Sequence, residues 1–367
     1  MATCATPDGT QRYQQRHVDT IPDEHFRRYH ELRLSSIGIG TYLGEPDDAT
    51  DIQYQQAIVA AVRAGCNVID TAINYRHQRS ERAVGAALRQ LLDDGGLLRE
   101  ELCIATKGGY VPFEGHYPAD PMQYLFETFI QPGLMSAHEL VSGCHCLAPT
   151  YLRDQLERSL RNLGISAVDL YYLHNPEQQL EEVSREVFRE RLRDAFAWLE
   201  DEVTRGRIGA YGIATWHGLR HAPNARDFIA LEEIVGQARE VGGASHHFRA
   251  VQLPYNLAMP EALTLRNQPL DDARVSLFEA ADALDLFVVA SASLLQGQLA
   301  RNLPPALTER FADAQTDAQR AIQFARSTPG LDIALVGMKD AKHVAENLAV
   351  ARTAPLSPEQ FEQLFRS

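Results

Sequence analysis

The chain has 367 residues, of which 45% are hydrophobic and 23% charged. These are the proportions of a soluble globular protein with one sizeable α/β core. The net charge of -14 argues against a nucleic-acid groove or an anionic membrane as partner. No apolar run approaches the roughly 20 residues that span a bilayer. The polar start lacks the apolar stretch of a signal peptide, and the five cysteines are few and irregularly spaced. A cytoplasmic location is therefore expected.

Short apolar segments alternate with longer segments of helical spacing along the chain. After an N-terminal extension over residues 1–27, one domain is expected over 28–367. Its predicted strands cover 35–42, 66–70, 101–107, 167–174, 208–215, 248–255, 286–293 and 331–337. The predicted helices cover 51–65, 80–94, 149–164, 187–206, 225–242, 273–285, 317–330 and 341–352.

Eight strand–helix pairs of this kind predict a (β/α)8 TIM barrel with long βα loops at its C-terminal face and an extra C-terminal helix. The strands are almost continuously apolar, as parallel strands buried on both faces are. An open doubly wound sheet is the structural alternative. It is disfavoured because no helix begins where a G-x-G-x-x-G turn after the first strand would need one.

One connection, 108–148, is far longer than ordinary loops, which makes it functional or disordered. It is rich in aromatic residues, which disfavours disorder. We therefore expect a lid or pocket wall. A second long connection, 254–272, follows the sixth strand.

Three successive predicted strands end in an ionisable side chain: Asp70, Lys107 and His174. Because the carboxyl ends of barrel strands share one rim, these groups should meet there, with Tyr75 in the loop beyond Asp70. A structural ion pair and a hydrogen-bonded histidine would be the ordinary explanation for any one of them. Three consecutive strand ends together with the tyrosine favour catalysis.

A lysine ammonium near the phenol of Tyr75 should lower its pKa, and a carboxylate would hold that lysine charged. The phenol could then protonate a carbonyl oxygen while hydride reaches the carbon. A cofactor must supply the hydride, since no side chain can.

The segments "IDTAINYRHQRSERAVGAAL", "IATKGG", "VDLYYLHNPE", "GAYGIAT" and "GMKDAKHVAENL" resemble the aldo-keto reductases over residues 33–355. The resemblance implies reduction of an aldehyde or ketone with NADPH, favoured over NADH. It also implies that Tyr75 is the general acid, that Lys107 and Asp70 lower its pKa, and that His174 orients the substrate.

The same resemblance implies a set of cofactor contacts. Ser291 stands where the family usually has an aromatic residue that stacks on the nicotinamide, and Ala214 replaces a common serine. The implied cofactor-binding residues are Thr215, Gln252, Ser291, Ser293, Leu294, Gln298, Gly337, Lys339, His343, Glu346 and Asn347.

Two alternatives stay open. One is an NAD(P)-dependent sugar or alcohol dehydrogenase that runs the reverse reaction. The other is a cofactor-binding regulatory subunit with slow turnover, which the changes at Ala214 and Ser291 keep open. The expected partner is a small-molecule carbonyl substrate, with no metal site. The sequence identifies neither the substrate nor the oligomeric state.

Overall fold

The computed structural model describes residues 4–365, and its central feature is a closed barrel of eight parallel strands. Two antiparallel hairpins lie outside the barrel. The first hairpin pairs β1 (Phe26–Tyr29) with β2 (Leu32–Ser35). The barrel strands are β3 (Ile37–Gly40), β4 (Val68–Asp70), β5 (Cys103–Gly108), β6 (Val168–His174), β7 (Ile208–Ala214), β8 (Phe248–Pro254), β11 (Phe287–Ser291) and β12 (Ile333–Gly337), and the second hairpin is β9 (Gln268–Leu270) with β10 (Ala273–Val275). The predicted (β/α)8 barrel is confirmed.

Helices follow the barrel strands and cover their outer faces, and a further helix lies near the C-terminal end. In chain order they are α1 (Pro7–Gln15), α2 (Asp48–Arg63), α3 (Arg79–Asp93), α4 (Pro121–Leu125), α5 (Pro149–Leu163), α6 (Arg185–Thr204), α7 (Leu231–Gly242), α8 (Glu261–Thr264), α9 (Leu277–Ala283), α10 (Pro305–Arg310), α11 (Asp317–Ser327), α12 (Ala341–Leu348) and α13 (Pro358–Gln363).

Local signals set several of these bounds. Helix α5 begins at Pro149 and ends before Gly164, whose φ of 67° is the left-handed conformation that glycine adopts without strain. Two predicted helices were wrong at their N-terminal ends. Residues 225–230 form a loop, in which the Ile229 amide donates to the Gly218 carbonyl, so α7 begins only at Leu231. Ala273–Val275 is a strand paired with Gln268–Leu270, and α9 begins after its Ser276 cap.

The barrel interior is apolar towards its N-terminal end and polar towards its C-terminal rim. Its inner side chains form one cluster, to which the first hairpin contributes Leu34. The hydroxyl of Tyr29, on the same hairpin, donates to the Arg249 carbonyl at 3.0 Å. The hairpin therefore covers the N-terminal end of the barrel.

The N-terminal segment packs against the barrel helices. Thr6 caps α1 by accepting from the Gly9 amide, and the fully buried Tyr13 donates its hydroxyl to the Val62 carbonyl at 2.5 Å. This contact joins α1 to α2. None of the helices within residues 4–365 combines the length and apolar character needed to cross a lipid bilayer.

The long loop after β5 has a small core of its own. Phe129 and Met135 are buried in it together with Tyr151 of α5. At its base, the Val111 amide donates to the Cys144 carbonyl at 2.7 Å. The loop is thus an ordered structure that stands beside the C-terminal rim.

Candidate active site

The register of neighbouring strands turns the predicted strand-end residues to the inside of the barrel. Asp70 pairs with Ala105, so Lys107, two residues further along β5, lies on the same face. Lys107 pairs with Tyr172, which brings His174 to that face by the same rule. Parallel pairing over eight strands therefore gathers the three groups at one mouth.

Asp70 is the centre of a buried charge pair. The Lys107 ammonium donates to Asp70 Oδ1 at 2.5 Å and to the Thr71 carbonyl at 2.8 Å. The other carboxylate oxygen, Oδ2, accepts from the amide of Gln252 at 2.8 Å. Lys107 is fully buried and Asp70 is 4% exposed, so neither charge is screened by water. Gln252, predicted as a cofactor-binding residue, is in this structure also a hydrogen-bond partner of Asp70.

Tyr75 lies directly over this pair. The Lys107 Nζ is 4.9 Å from the centre of the Tyr75 ring. The next three residues have the positive φ angles 48°, 58° and 71°, which are strained for side chains other than glycine. The first of them, Arg76, is held by the Glu45 carbonyl at 2.8 Å and by Asp51 Oδ1 at 2.5 Å. A tight, anchored turn therefore fixes the tyrosine at the rim.

The prediction that the pKa of the Tyr75 phenol is lowered is wrong. Desolvation by the surrounding protein raises the pKa of Tyr75 well above its ordinary value, and the negative charge of Asp70 adds to the rise. Desolvation also lowers the pKa of Lys107, against the opposing charge of Asp70. The phenol therefore holds its proton at neutral pH, which is the form that a proton donor needs.

His174 faces Tyr75 across the mouth. Their ring centres are 5.7 Å apart and nearly perpendicular, and Tyr110 contacts the other side of His174 at 5.1 Å. Desolvation and the Lys107 charge hold the pKa of His174 well below its ordinary value, so the imidazole is neutral. Its Nδ1 is buried without a partner in the described part of the chain. A neutral imidazole in this place can form a hydrogen bond with a substrate oxygen.

A second histidine, which sequence reasoning did not assign to the site, holds the backbone of the first. The Nε2 of His145 donates to the His174 carbonyl at 2.8 Å, and its Nδ1 accepts from Gln179 at 2.7 Å. Burial lowers the pKa of His145 to about 4, which keeps it in this neutral form. The sequence has no signal for the contact of His145 with β6.

A cavity of about 480 Å³ extends from Tyr75 across the rim towards α12. It gathers nearly all the residues that were predicted for catalysis or cofactor binding. Lys107 lies beneath its wall, and Gln298 is exposed outside it, with Gln296 and Gly297 lining it instead. The predicted residues in the wall are Asp70, Tyr75, His174, Thr215, Gln252, Ser291, Ser293, Leu294, Gly337, Lys339, His343, Glu346 and Asn347.

Polar groups in the wall point to a bound ligand. The hydroxyl of Thr215 lines the cavity but is buried without a hydrogen-bond partner in the described chain. Such a group costs free energy unless a ligand satisfies it. The loop that carries it is anchored, because one carboxylate oxygen of Glu177 accepts from the Trp216 and His217 amides at 2.7 and 3.0 Å.

A lysine stands at the far end of the cavity. Lys339 is exposed, follows β12 and lies beside Gly44, where a Cβ would come within 3.7 Å of its Nζ. Gly44 has a φ of 112°, which other residues rarely adopt. Glu346 and Asn347 line the same end. This end can thus contact both an anionic group and polar hydroxyl or amino groups.

Three apolar residues at the mouth complete the site. Tyr42, whose ring packs edge-on against Tyr75 at 5.0 Å, is 57% exposed, and Leu43 is 37% exposed. Trp216 is 39% exposed on the opposite wall. The position of Tyr42 and Leu43 directly after β3 is a signal that could have identified them, since barrel sites are built from the loops after the strands.

The fold and the site together define a (β/α)8 barrel with an acid, an amine, a phenol and an imidazole at its C-terminal rim. Residues 36–366 match the family model described as the Aldo/keto reductase family. The chain belongs to the aldo/keto reductase family.

Several known proteins are similar to parts or all of the chain. It is 29% identical over 209 residues to an NADH-specific methylglyoxal reductase of Escherichia coli (strain K12), and the match covers 56% of this chain and 54% of that one. It is 29% identical over 140 residues to the human aldo-keto reductase family 1 member C2, with 38% and 31% covered. The chain thus spans about half, or less, of the length of these relatives.

Solved structures resemble the whole barrel. A crystal structure of an aldo/keto reductase from Klebsiella pneumoniae in complex with NADP and acetate superimposes with a TM-score of 0.61 at 22% identity, covering 94% of this chain and 95% of that one. The holo form of an aldo-keto reductase from Bacillus halodurans superimposes with a TM-score of 0.60 at 18% identity, covering 92% of this chain and 95% of that one. Both agree with the barrel fold.

Proposed function

We propose that the chain reduces an aldehyde or ketone to an alcohol with a nicotinamide cofactor. The observation that carries the proposal is the placement of the Tyr75 ring 4.9 Å from the ammonium of Lys107, at the wall of a cavity long enough to extend to Lys339. When bound there, a reduced nicotinamide supplies the hydride.

Each residue of the site has a role in the proton half of the reaction. Tyr75, protonated at neutral pH, donates its hydrogen to the carbonyl oxygen. The phenolate that forms is stabilised by the Lys107 ammonium, which Asp70 holds in place on its other side. His174 is neutral and orients the carbonyl oxygen towards Tyr75.

Polar groups in the wall of the cavity support the binding of a dinucleotide. Two polar groups lie in the wall close to Tyr75: the unpartnered Thr215 hydroxyl and the Gln252 amide. They could bind the polar group of the nicotinamide ring. Ser291 and Ser293 extend the polar wall from the end of β11. At the other end of the cavity, Lys339 supplies a positive charge that can bind a phosphate.

We further propose a preference for NADPH over NADH, which Lys339 supports because a 2′-phosphate adds a charge that an ammonium binds. The Klebsiella pneumoniae structure contains NADP, whereas the similar Escherichia coli protein is NADH-specific by name. His343 and Glu346 share this end of the cavity and would contact the adenosine half.

The substrate, on this proposal, is a small carbonyl compound with an apolar or aromatic group. The exposed rings of Tyr42 and Trp216 form the walls next to Tyr75, and Leu43 lies at the same mouth. Apolar walls with a few polar groups are typical of sites for such ligands.

A cytoplasmic location is part of the proposal and is supported by the lack of any disulfide in the described chain.

The test is to measure initial rates of NADPH and NADH oxidation with 4-nitrobenzaldehyde and with methylglyoxal. We expect turnover with both carbonyls, a higher kcat/KM for the aromatic aldehyde, and a lower KM for NADPH. Tight cofactor binding without turnover in either direction would instead identify a regulatory subunit. Faster alcohol oxidation than carbonyl reduction at neutral pH would identify a dehydrogenase.

A further inference from the structure

The loop after β7 carries a cluster of possible metal ligands that the proposed reaction does not use. His217, His221 and Asp227 each offer one ligand atom, and these three atoms all lie within 4.8 Å of one another. The two imidazole rings are stacked, with centres 4.7 Å apart and planes 13° from parallel. Both rings present Nδ1 to the same carboxylate.

The backbone of the loop explains the convergence. The amides of Arg220 and His221 both donate to the His217 carbonyl, at 2.8 and 3.0 Å, which closes one helical turn. That turn puts the two histidines four positions apart on one face, the spacing by which paired histidines hold zinc on a helix. The bond from the Ile229 amide to the Gly218 carbonyl at 2.7 Å then folds Asp227 back against them.

The distances suit a small divalent cation. His221 Nδ1 is 2.9 Å from Asp227 Oδ1, and His217 Nδ1 is 3.9 Å from Asp227 Oδ2. Ligand atoms about 2.0–2.1 Å from a tetrahedral zinc ion are roughly 3.3 Å from each other. The two observed distances lie on either side of that value, and all three ligand atoms lie within 4.8 Å of one another, so small movements of the side chains would bring them to coordination distance of one ion.

The surroundings leave room for exchangeable ligands. The side chains of His217, His221 and Asp227 are 51%, 42% and 27% exposed, so water can complete the coordination. Two imidazoles and a carboxylate are a donor set that zinc accepts.

We propose that His217, His221 and Asp227 bind one divalent cation of the zinc type. This site is separate from the proposed reaction centre but shares its loop with Trp216, a wall of the substrate end. On its other side the loop is held by the carboxylate of Glu177. An ion bound here would therefore fix the loop at a second point and restrict the motion of Trp216.

The experiment is calorimetric titration of the chelator-treated full chain with zinc chloride. We expect one zinc ion per chain and a loss of affinity of at least about tenfold in His217→Ala and in His221→Ala, because removing even an outer partner of a metal ligand costs that much. Asp227→Asn keeps the shape of the third ligand and should also weaken binding. His116→Ala removes an exposed histidine elsewhere and should leave the affinity unchanged.

A second measurement uses visible absorption spectroscopy instead of calorimetry. Cobalt(II) bound by two imidazoles and a carboxylate should give visible absorption bands, and these should disappear in His217→Ala. Absence of saturable zinc binding by the wild-type chain at micromolar concentrations overturns the proposal. So does equal affinity in the wild type and both histidine variants.

Discussion

The ammonium of Lys107 lies 4.9 Å from the centre of the Tyr75 ring, while the same ammonium is bonded to Asp70 at 2.5 Å. Lys107 therefore connects a buried carboxylate to the one phenol that reaches the cavity from the loop after β4. Removing either charge would leave the other buried and unpaired, which costs about 3–5 kcal/mol of stability. The ion pair is therefore a structural element of the rim as well as part of the proposed reaction centre.

His145 should act as a positioning residue for His174. We predict that His145→Ala lowers kcat by about tenfold or more and leaves the KM for the cofactor near its wild-type value, because it removes the donor to the His174 carbonyl. Steady-state kinetics with varied cofactor and varied carbonyl would separate the two parameters.

The control for this variant is His145→Gln, whose amide can still donate to the same carbonyl. It should recover much of the lost kcat. Equal loss in both variants, or a change in thermal stability with kcat unchanged, would show that His145 only maintains the fold of the long loop.

Buried His25 should make the protein sensitive to acid. Its Nε2 donates to the Gly65 carbonyl at 3.0 Å, and the guanidinium of Arg326 is 3.2 Å from its Nδ1. Burial and that positive charge lower the pKa of His25 to about 3. In the folded state the imidazole of His25 then stays neutral, whereas in the unfolded chain it takes up a proton below about pH 6.5.

The free energy of unfolding should therefore be unaffected by His25 above about pH 6.5. Between pH 6.5 and about 3 it should fall by about 1.4 kcal/mol per pH unit on account of this histidine. Urea unfolding at several pH values measures the slope. His25→Gln should show a shallower slope over the same interval, and identical slopes would refute the assignment.

Cofactor preference should depend on Lys339. We predict that Lys339→Ala raises the KM for NADPH by roughly tenfold or more and changes the KM for NADH much less, since a hydrogen bond to a charged group contributes about 1.5–3 kcal/mol. Lys342→Ala removes a neighbouring exposed cation outside the cavity and serves as the control. Equal changes for both cofactors would mean that the 2′-phosphate is bound elsewhere.

Much of the fold was predictable because it follows from patterns within short segments. The apolar runs that end in Asp70, Lys107 and His174 are strands in the structure, and strand pairing in register brings those residues together. The residues near Lys339 for which the family resemblance implies cofactor binding line the cavity in the structure.

What the sequence could not predict depends on contacts between distant segments. Residues 225–230 have helical spacing, but a bond from Ile229 to Gly218 and the pairing of Asp227 with His221 hold them as a loop. The role of His145 depends on a carbonyl 29 positions away. The rise in the pKa of Tyr75 depends on burial of the phenol and on the nearby charge of Asp70, which no spacing of residues reveals.

Tyr75→Phe tests most directly whether Tyr75 transfers the proton, since the substitution removes only the hydroxyl. The measurement is the single-turnover rate of NADPH oxidation with 4-nitrobenzaldehyde, together with cofactor affinity by fluorescence titration. Tyr42→Phe, which removes the hydroxyl of the neighbouring ring and keeps the ring itself, is the matched control. We predict unchanged cofactor affinity and a rate lowered by about 10²–10⁴ in Tyr75→Phe, with Tyr42→Phe near wild type. A rate in Tyr75→Phe within a factor of a few of wild type would contradict the account.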